Sequence, residues 1–251
     1  MTGSARPLLR AVTAALDTDS KLDARWLVGL AAGHDQPIMS HQNITLTPEQ
    51  EARLARLIRQ RNKGLPISRM RGKREFWSLD FYLNDATLDP RPDSETLIEA
   101  ALAYARTALS DIQALSVLDL GCGSGCLLLA LLSELKGATG QGIDIAPQAV
   151  AQARANAASL GLAGRADISI GSWAEGISQP FHLILSNPPY ICENDDSLSD
   201  EVRLHDPALG LYAGADGLAA YRTLLPQIGA ILADKGQAFL EVGHGQIEAV
   251  S

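Results

Sequence analysis

The chain has 251 residues, of which 46% are hydrophobic, so it can bury a sizeable core and is not disordered throughout. That length suits one large domain, or an ordinary domain with a small one. The net charge of −8 is uneven: the first 75 residues carry 13 Lys+Arg against 7 Asp+Glu, and the rest 8 against 22. Such a division suggests two parts with different partners, and the acidic larger part argues against the broad basic face of a general DNA-binding enzyme.

The predicted elements begin with helices over residues 1 to about 75. Ser20 can cap a helix carrying Leu22, Trp26, Leu27, Leu30 and Ala31, with Gly33 as its stop. Thr47 can cap a second helix, with Pro48 in its first position and Gln50 completing a capping box. Leu54, Leu57 and Ile58 then share one face, and Gly64 closes the segment. A connecting stretch runs from Leu65 to Asp89. Its aromatics Phe76, Trp77, Phe81 and Tyr82 suggest a short hairpin that packs rather than binds.

Beyond about Asp93, helices alternate with short apolar strands. A helix is expected over Pro92 to Leu109, a strand over Val117 to Leu120, and an apolar helix over Leu127 to Leu135. A strand over Gln141 to Ile145 and a helix over Pro147 to Leu160 follow. Further strands are expected at Ala166 to Ile170 and Phe181 to Ser186, then a helix over Gly217 to Leu232 and a strand over Gln237 to Val242. This alternation implies an α/β fold with a parallel sheet covered on both faces.

The longest apolar run, Leu127 to Leu132, falls far short of the ~20 residues that span a bilayer. The N-terminus lacks a basic-then-apolar leader, so a cytoplasmic location is the default expectation. Cys122, Cys126 and Cys192 have neither CxxC spacing nor a histidine cluster beside them, so buried reduced thiols are expected and no metal site.

Three motifs carry chemistry. The first is the glycine loop Asp119-Leu120-Gly121-Cys122-Gly123-Ser124-Gly125, which follows a strand and opens a helix. A dinucleotide fingerprint would want glycine where this chain has Cys126. Alternate glycines let backbone approach a ligand closely, although a tight structural turn would also explain them. The second is Asp144 at the end of the next strand, where a carboxylate can accept from both hydroxyls of a ribose. By itself it could equally cap the helix ahead of Pro147. The third is Asn187-Pro188-Pro189-Tyr190 directly after the fourth strand, where open parallel sheets bind ligands. The prolines stiffen the turn. The Asn187 side-chain oxygen and the Pro188 carbonyl can both accept from one planar NH2 group, and Tyr190 offers a ring face.

Asp119-x-Gly121-x-Gly123-x-Gly125 with Asp144 resembles a class I S-adenosylmethionine-dependent methyltransferase, a Rossmann-like domain. With Asn-Pro-Pro-Tyr it resembles the enzymes that methylate planar nitrogens. The fullest resemblance is to the release factor glutamine methyltransferase (HemK/PrmC) family. It extends over the helical N-terminal part, Pro90-Arg91-Pro92 with Glu95, the glycine loop with Gly125-Cys126, Asn187 to Tyr190, and Gly214 with Asp216-Gly217-Leu218.

The resemblance implies a helical substrate-docking domain over residues 1–75, a linker with a hairpin over 76–92, and a methyltransferase domain over 93–251. It implies S-adenosylmethionine as cofactor and S-adenosylhomocysteine as product. Gly121, Cys122, Gly123, Ser124, Gly125, Asp144, Trp173 and Asn187 would hold the cofactor. Asn187, Pro188, Pro189 and Tyr190 would hold the glutamine amide, with Asn187, Pro188 and Tyr190 catalytic. Arg91 and Glu95 would be linker-loop residues near the active site. The substrate would be the glutamine of the GGQ motif in class 1 peptide release factors, taken up by a monomer with no membrane and no direct nucleic-acid substrate. A ribosomal-protein glutamine, or the N6 of a nucleic-acid adenine, would be an alternative acceptor, and a non-catalytic cofactor-binding protein is a third reading.

Three departures from the family are visible. Ser172 stands where an acid often precedes the tryptophan, and Asp93-Ser94-Glu95 stands for Glu-Thr-Glu. The chain ends at Ser251, soon after Glu241-Val242-Gly243, where the fold usually adds a helix and a hairpin; a truncated or missing C-terminal edge is therefore expected. No general base is expected, since the amide proton becomes acidic once the methyl group has moved. The long segment Ile191 to Ala215 reads as a lid or as a structural excursion, and the basic segment Arg53 to Arg74 as a docking surface or as a solvated face.

Overall fold

The computed structural model describes residues 3–195 and 198–251. They form two units: Met1–Gly72 with Ser199–His205, and Lys73–Leu198 with Asp206–Ser251.

The first unit is a helical bundle with one small antiparallel pair. In chain order it contains β1 (Gly3–Ser4), α1 (Arg6–Ala14), α2 (Lys21–Ala32), β2 (Asn43–Ile44), α3 (Pro48–Asn62) and α4 (Ile67–Arg71), and β1 pairs with β2. Ser20 caps α2 by accepting from the Asp23 N–H at 3.1 Å, and Gly33 closes it at φ 87°. Both halves of the Thr47–Gln50 capping box open α3, at 3.3 and 2.9 Å. The core joins Leu9, Val12, Leu16, Leu27, Val28 and Leu54. Leu22 is not part of it and is 57% exposed. The buried stripe of α2 is Ala24, Leu27, Val28 and Ala31, at i, i+3, i+4 and i+7, which turns Leu22 to the opposite side. Trp26 also lies off the stripe and is covered by the Arg71 guanidinium, 4.2 Å from its ring.

The second unit opens with the antiparallel hairpin β3 (Lys73–Phe76) and β4 (Leu79–Tyr82). Phe76 and Phe81 meet edge to face at 6.2 Å and are buried in the main core beside the helix α5 (Glu95–Thr107). The hairpin, expected in a linker over 76–92, is therefore part of the second unit's core. A 3-10 turn over Pro92–Ser94 precedes α5, and the helix ends at Thr107 rather than Leu109.

The remaining elements are β5 (Ser116–Leu120), α6 (Cys126–Glu134), β6 (Thr139–Asp144), α7 (Pro147–Ser159), β7 (Ala166–Ile170), β8 (Phe181–Ser186), α8 (Asp200–His205), α9 (Ala219–Ile231), β9 (Leu232–Leu240) and α10 (Ile247–Val250). The five strands β5 to β9 are all parallel, in the order β7-β6-β5-β8-β9. Residues alternate between two cores. Val117, Leu183 and Leu185 face α5, α6 and α7, whereas Leu118, Leu120 and Ile184 face α9. The sheet is thus covered on both faces, as its near-continuous apolar strands require. The order reverses between β5 and β8, and crevices for ligands form at the carboxyl ends there.

The regular ladder of β9 begins at Gln237, opposite Leu183, after an irregularity in which Lys235 adopts φ 58°. The long segment after β8 is not bare loop: it holds α8, which belongs to the first unit, a 3-10 turn at Ala208–Gly210 and a bridge between Ile191 and Tyr212. Its positions 196 and 197 lie outside the described residues. Among the described residues, no helix is long and apolar enough to cross a membrane.

Candidate functional site

At the carboxyl ends of β5, β6 and β8 the second unit holds a cavity of ≈ 540 Å³. That is within the usual range for small-molecule sites, roughly 300–1,000 Å³. Its wall includes Gly121 to Ser124, Asp144, Trp173, Asn187 and Pro189, with Arg91 and Ser94 on one side and residues from Pro207 to Gly214 on another.

The glycine loop is held by its neighbours' acceptors. The Gly121 and Cys122 N–H groups donate to the Ile143 carbonyl at 2.8 and 3.0 Å, and the Gly123 N–H donates to Asp144 Oδ2 at 2.8 Å. Gly121, Gly123 and Gly125 have φ of 73°, 54° and 79°, a region that L side chains rarely adopt. Around Gly123 a Cβ would meet nothing within 4 Å, so backbone alone faces the space. Gly125 serves differently. It does not line the cavity, and a Cβ there would come within 3.2 Å of Ala153 and Leu129, so it lets α6 and α7 approach. The buried Asn156 ties the loop to the hairpin: its Nδ2 donates to the carbonyls of Ser124 (2.9 Å) and Tyr82 (3.0 Å), and its Oδ1 accepts from the Tyr82 N–H.

Two acids sit beside the loop. Asp144 accepts from Gly123 and, through Oδ1, from the Ala146 N–H at 2.9 Å, and its oxygens keep lone pairs for a diol. Asp119 is fully buried; Oδ2 accepts from the Leu128 N–H at 3.2 Å, while Oδ1 has no partner among the described residues. Burial, reinforced by the charge of Asp144, pushes its carboxyl up to about 7. Asp119 lies behind the glycine loop and is not in the cavity wall. Burial also pushes the Cys126 thiol up to about 12 and the Cys122 thiol well up, so neither is a nucleophile. Among the described residues, no group of His, Cys, Asp or Glu is arranged to hold a metal ion.

The Asn187–Tyr190 turn leaves the end of β8 and meets the end of β9. Asn187 Nδ2 donates to Ser94 Oγ at 3.1 Å and to Glu241 Oε2 at 2.8 Å, and Ser94 Oγ also bonds Glu241 Oε2. The Tyr190 hydroxyl donates to Glu241 Oε1 at 3.1 Å. Burial and then the Glu241 charge push this phenol up to about 12, so it stays protonated. The Tyr190 carbonyl accepts from Gln246 Nε2 at 3.0 Å. A Cβ at Gly217 would come within 2.4 Å of that carbonyl. Asn187 Oδ1 and the Pro188 carbonyl accept no hydrogen bond among the described residues.

The structure therefore brings together Gly121, Cys122, Gly123, Ser124, Asp144, Trp173, Asn187, Pro189 and Arg91 around one cavity. Trp173 sits at φ 52°, a strained conformation for an aromatic residue that places its ring 3.5 Å from a Gly121 Cβ position. Pro188 is buried and Tyr190 is turned to Glu241, so neither is in the wall. Glu95 adjoins the wall residue Ser94, but its carboxylate accepts from the Trp77 N–H at 2.8 Å and is not itself in the wall. Arg91 is paired with Asp206. Sequence reading did not assign Asp119, Ser94, Asn156 or Glu241 a role. Asp119 was visible as the first residue of the glycine motif; the others act through contacts far along the chain.

Comparison with known proteins identifies the family. Residues 99–204 match the methyltransferase small domain and residues 8–72 the PrmC N-terminal domain. The release factor glutamine methyltransferase of Rhodospirillum rubrum is 45% identical over 93% of this chain and 70% of its own length. Those of Bradyrhizobium diazoefficiens and Caulobacter vibrioides are 46% and 40% identical, over 91% and 97% of this chain and 77% and 86% of their own lengths. The chain belongs to the release factor glutamine methyltransferase family.

Proposed function

We propose that this chain methylates the side-chain amide nitrogen of the GGQ glutamine in peptide release factors, using S-adenosylmethionine. The observation that carries the reading is the unused acceptor Asn187 Oδ1, on a rigid turn that shares one cavity wall with the glycine loop and Asp144. When bound, S-adenosylmethionine supplies a methyl group on a positively charged sulfur. Gly121 to Ser124 and Asp144 are the residues suited to hold it, with Trp173 as a ring surface.

An amide nitrogen is a weak nucleophile because its lone pair is delocalised. The site's task is therefore alignment. Two acceptors on the two amide hydrogens fix the plane of the group and stabilise the positive charge that develops on nitrogen. One N–H proton is then lost to solvent. Tyr190 keeps its own proton, which it donates to Glu241.

The first unit is the dock for the protein partner in this reading. Much of the basic segment 53–74 is internally engaged: Arg61 with Asp23 and Glu201, Arg71 with Asp35, and Lys73 with Asp80. Arg53, Arg56 and Arg59 on α3, and Lys63 at its C-cap, remain exposed, without an ion pair among the described residues. Arg56, Arg59 and Lys63 lie opposite the face bearing Leu54 and Arg61, with Arg53 at its edge, a surface suited to an acidic patch.

Transfer of labelled methyl tests the whole. Label is expected on a purified release factor, absent from its Gln→Ala variant and from DNA, and reduced about 10²–10³-fold by Asn187→Ala. Label on DNA would replace this reading with an adenine methyltransferase.

A further inference from the structure

We infer that Glu241 is the positioning residue that decides which end of the Asn187 amide faces the substrate. The inference rests on the function proposed above. An Asn side chain carries an oxygen and an NH2 of nearly equal size, so packing alone does not choose between them. The wrong choice would point two hydrogens at the hydrogens of a substrate amide.

The surroundings of Asn187 make the choice chemically. Glu241 Oε2, at 2.8 Å, is a carboxylate oxygen with no proton to give. Ser94 Oγ, at 3.1 Å, has one proton and directs it to the same Glu241 oxygen, so only lone pairs are left for Asn187. Both neighbours therefore accept only, and Nδ2 must face them. Oδ1 is left as the free end. Two acceptors on the NH2 also polarise the amide, which makes Oδ1 a better acceptor. The second carboxylate oxygen, Oε1, takes the Tyr190 hydroxyl at 3.1 Å, so one side chain orients both polar members of the turn.

Glu241 can do this because its backbone is pinned on two sides. Its N–H donates to the Ser186 carbonyl at 3.0 Å, next to Asn187, and its carbonyl accepts from the Tyr221 hydroxyl at 2.8 Å. The turn that follows returns to the same place, where Gln246 holds the Tyr190 carbonyl.

Glu241→Gln is nearly isosteric but can offer an NH2 to Asn187, which releases the constraint. It is expected to lower kcat about 10²-fold while leaving KM, S-adenosylmethionine affinity by calorimetry, and Tm unchanged. Asn187→Asp sets carboxylate against carboxylate and should be impaired at least as much. The pair Asn187→Asp with Glu241→Gln restores a donor–acceptor match, and should exceed Asn187→Asp alone by about tenfold. A purely structural role for Glu241 would not produce that rescue. A readout independent of turnover is the side-chain 1H–15N signal of Asn187, identified by its loss in Asn187→Asp and expected to shift in Glu241→Gln. Wild-type kcat in Glu241→Gln with an unmoved Asn187 signal, or a double variant no better than Asn187→Asp, would overturn the inference. If wild-type protein methylates no release factor while that signal still responds to Glu241→Gln, the proposed function fails and the clamp stands.

Discussion

Asp119 shows how a single residue can be poorly served by the fold that buries it. Its pKa, raised from 3.8 to about 7, means the folded state holds the proton more tightly than the unfolded chain. The associated stability is fully present below about 4 and is lost as pH rises through about 7. Asp119→Asn, neutral throughout, should therefore gain in Tm relative to wild type across that window. Parallel melts at the two ends of the window check the sign; a constant difference would refute it. Glu95 makes the opposite case. Its hydrogen bond holds the Trp77 N–H, so Glu95→Ala should cost about 1–2 kcal/mol of stability and leave KM for the protein substrate unchanged. Denaturant melts and steady-state rates on the same preparation separate the two effects. These residues also mark how far sequence reading reaches. The glycines, Asp144 and the Asn-Pro-Pro-Tyr turn are readable because each motif is contiguous or placed by a strand end. Glu241, Ser94 and Asn156 act on groups 54, 93 and 74 residues away, and no local pattern carries such a contact.

Among the elements, those with local signals were legible and those stabilised from a distance were not. The Thr47–Gln50 box and the Ser20 and Gly33 caps join residues three or four apart or need a specific φ, so α2 and α3 could be delimited closely. The pair β1–β2 is two residues wide and joins positions about forty residues apart, and α8 gains its place from Arg61. The β3–β4 hairpin was foreseen from its aromatics, but not its core position, since apolar alternation does not say which body an apolar face meets. Its turn is unusual, with Trp77 and Ser78 at φ 53° and 58°, where glycine or asparagine is usual. Trp77 is retained by its indole N–H, which donates to Glu134 at 3.0 Å. Among the described residues Ser78 has no such tie, so Ser78→Gly should stabilise the protein by about 0.5–1 kcal/mol without altering turnover. Thermal melting is the check, and a lowered Tm would show that the serine's conformation is not strained.

At the scale of the whole molecule, charge is divided between a basic helix on the first unit and an acidic second unit. If α3 docks the partner, reversing Arg53, Arg56 and Arg59 to Glu should raise KM for the release factor at least tenfold, with kcat and cofactor affinity preserved. The wild-type KM should rise with salt while that of the variant does not, because surface charges act within about 10 Å at ordinary ionic strength. Equal salt dependence in both would remove α3 from the interface.

The placement of Ser199–His205 within the first unit has a consequence for how such proteins can be taken apart or recombined. The chain passes between the units three times, after Gly72, after Leu198 and after His205. A single cut therefore frees neither unit with all its parts. Removing the first 72 residues would strand α8 and break the pair between Arg61 and Glu201. Exchange of N-terminal units between relatives is then a two-segment graft, in which the residue at 201 must be inherited together with the one at 61.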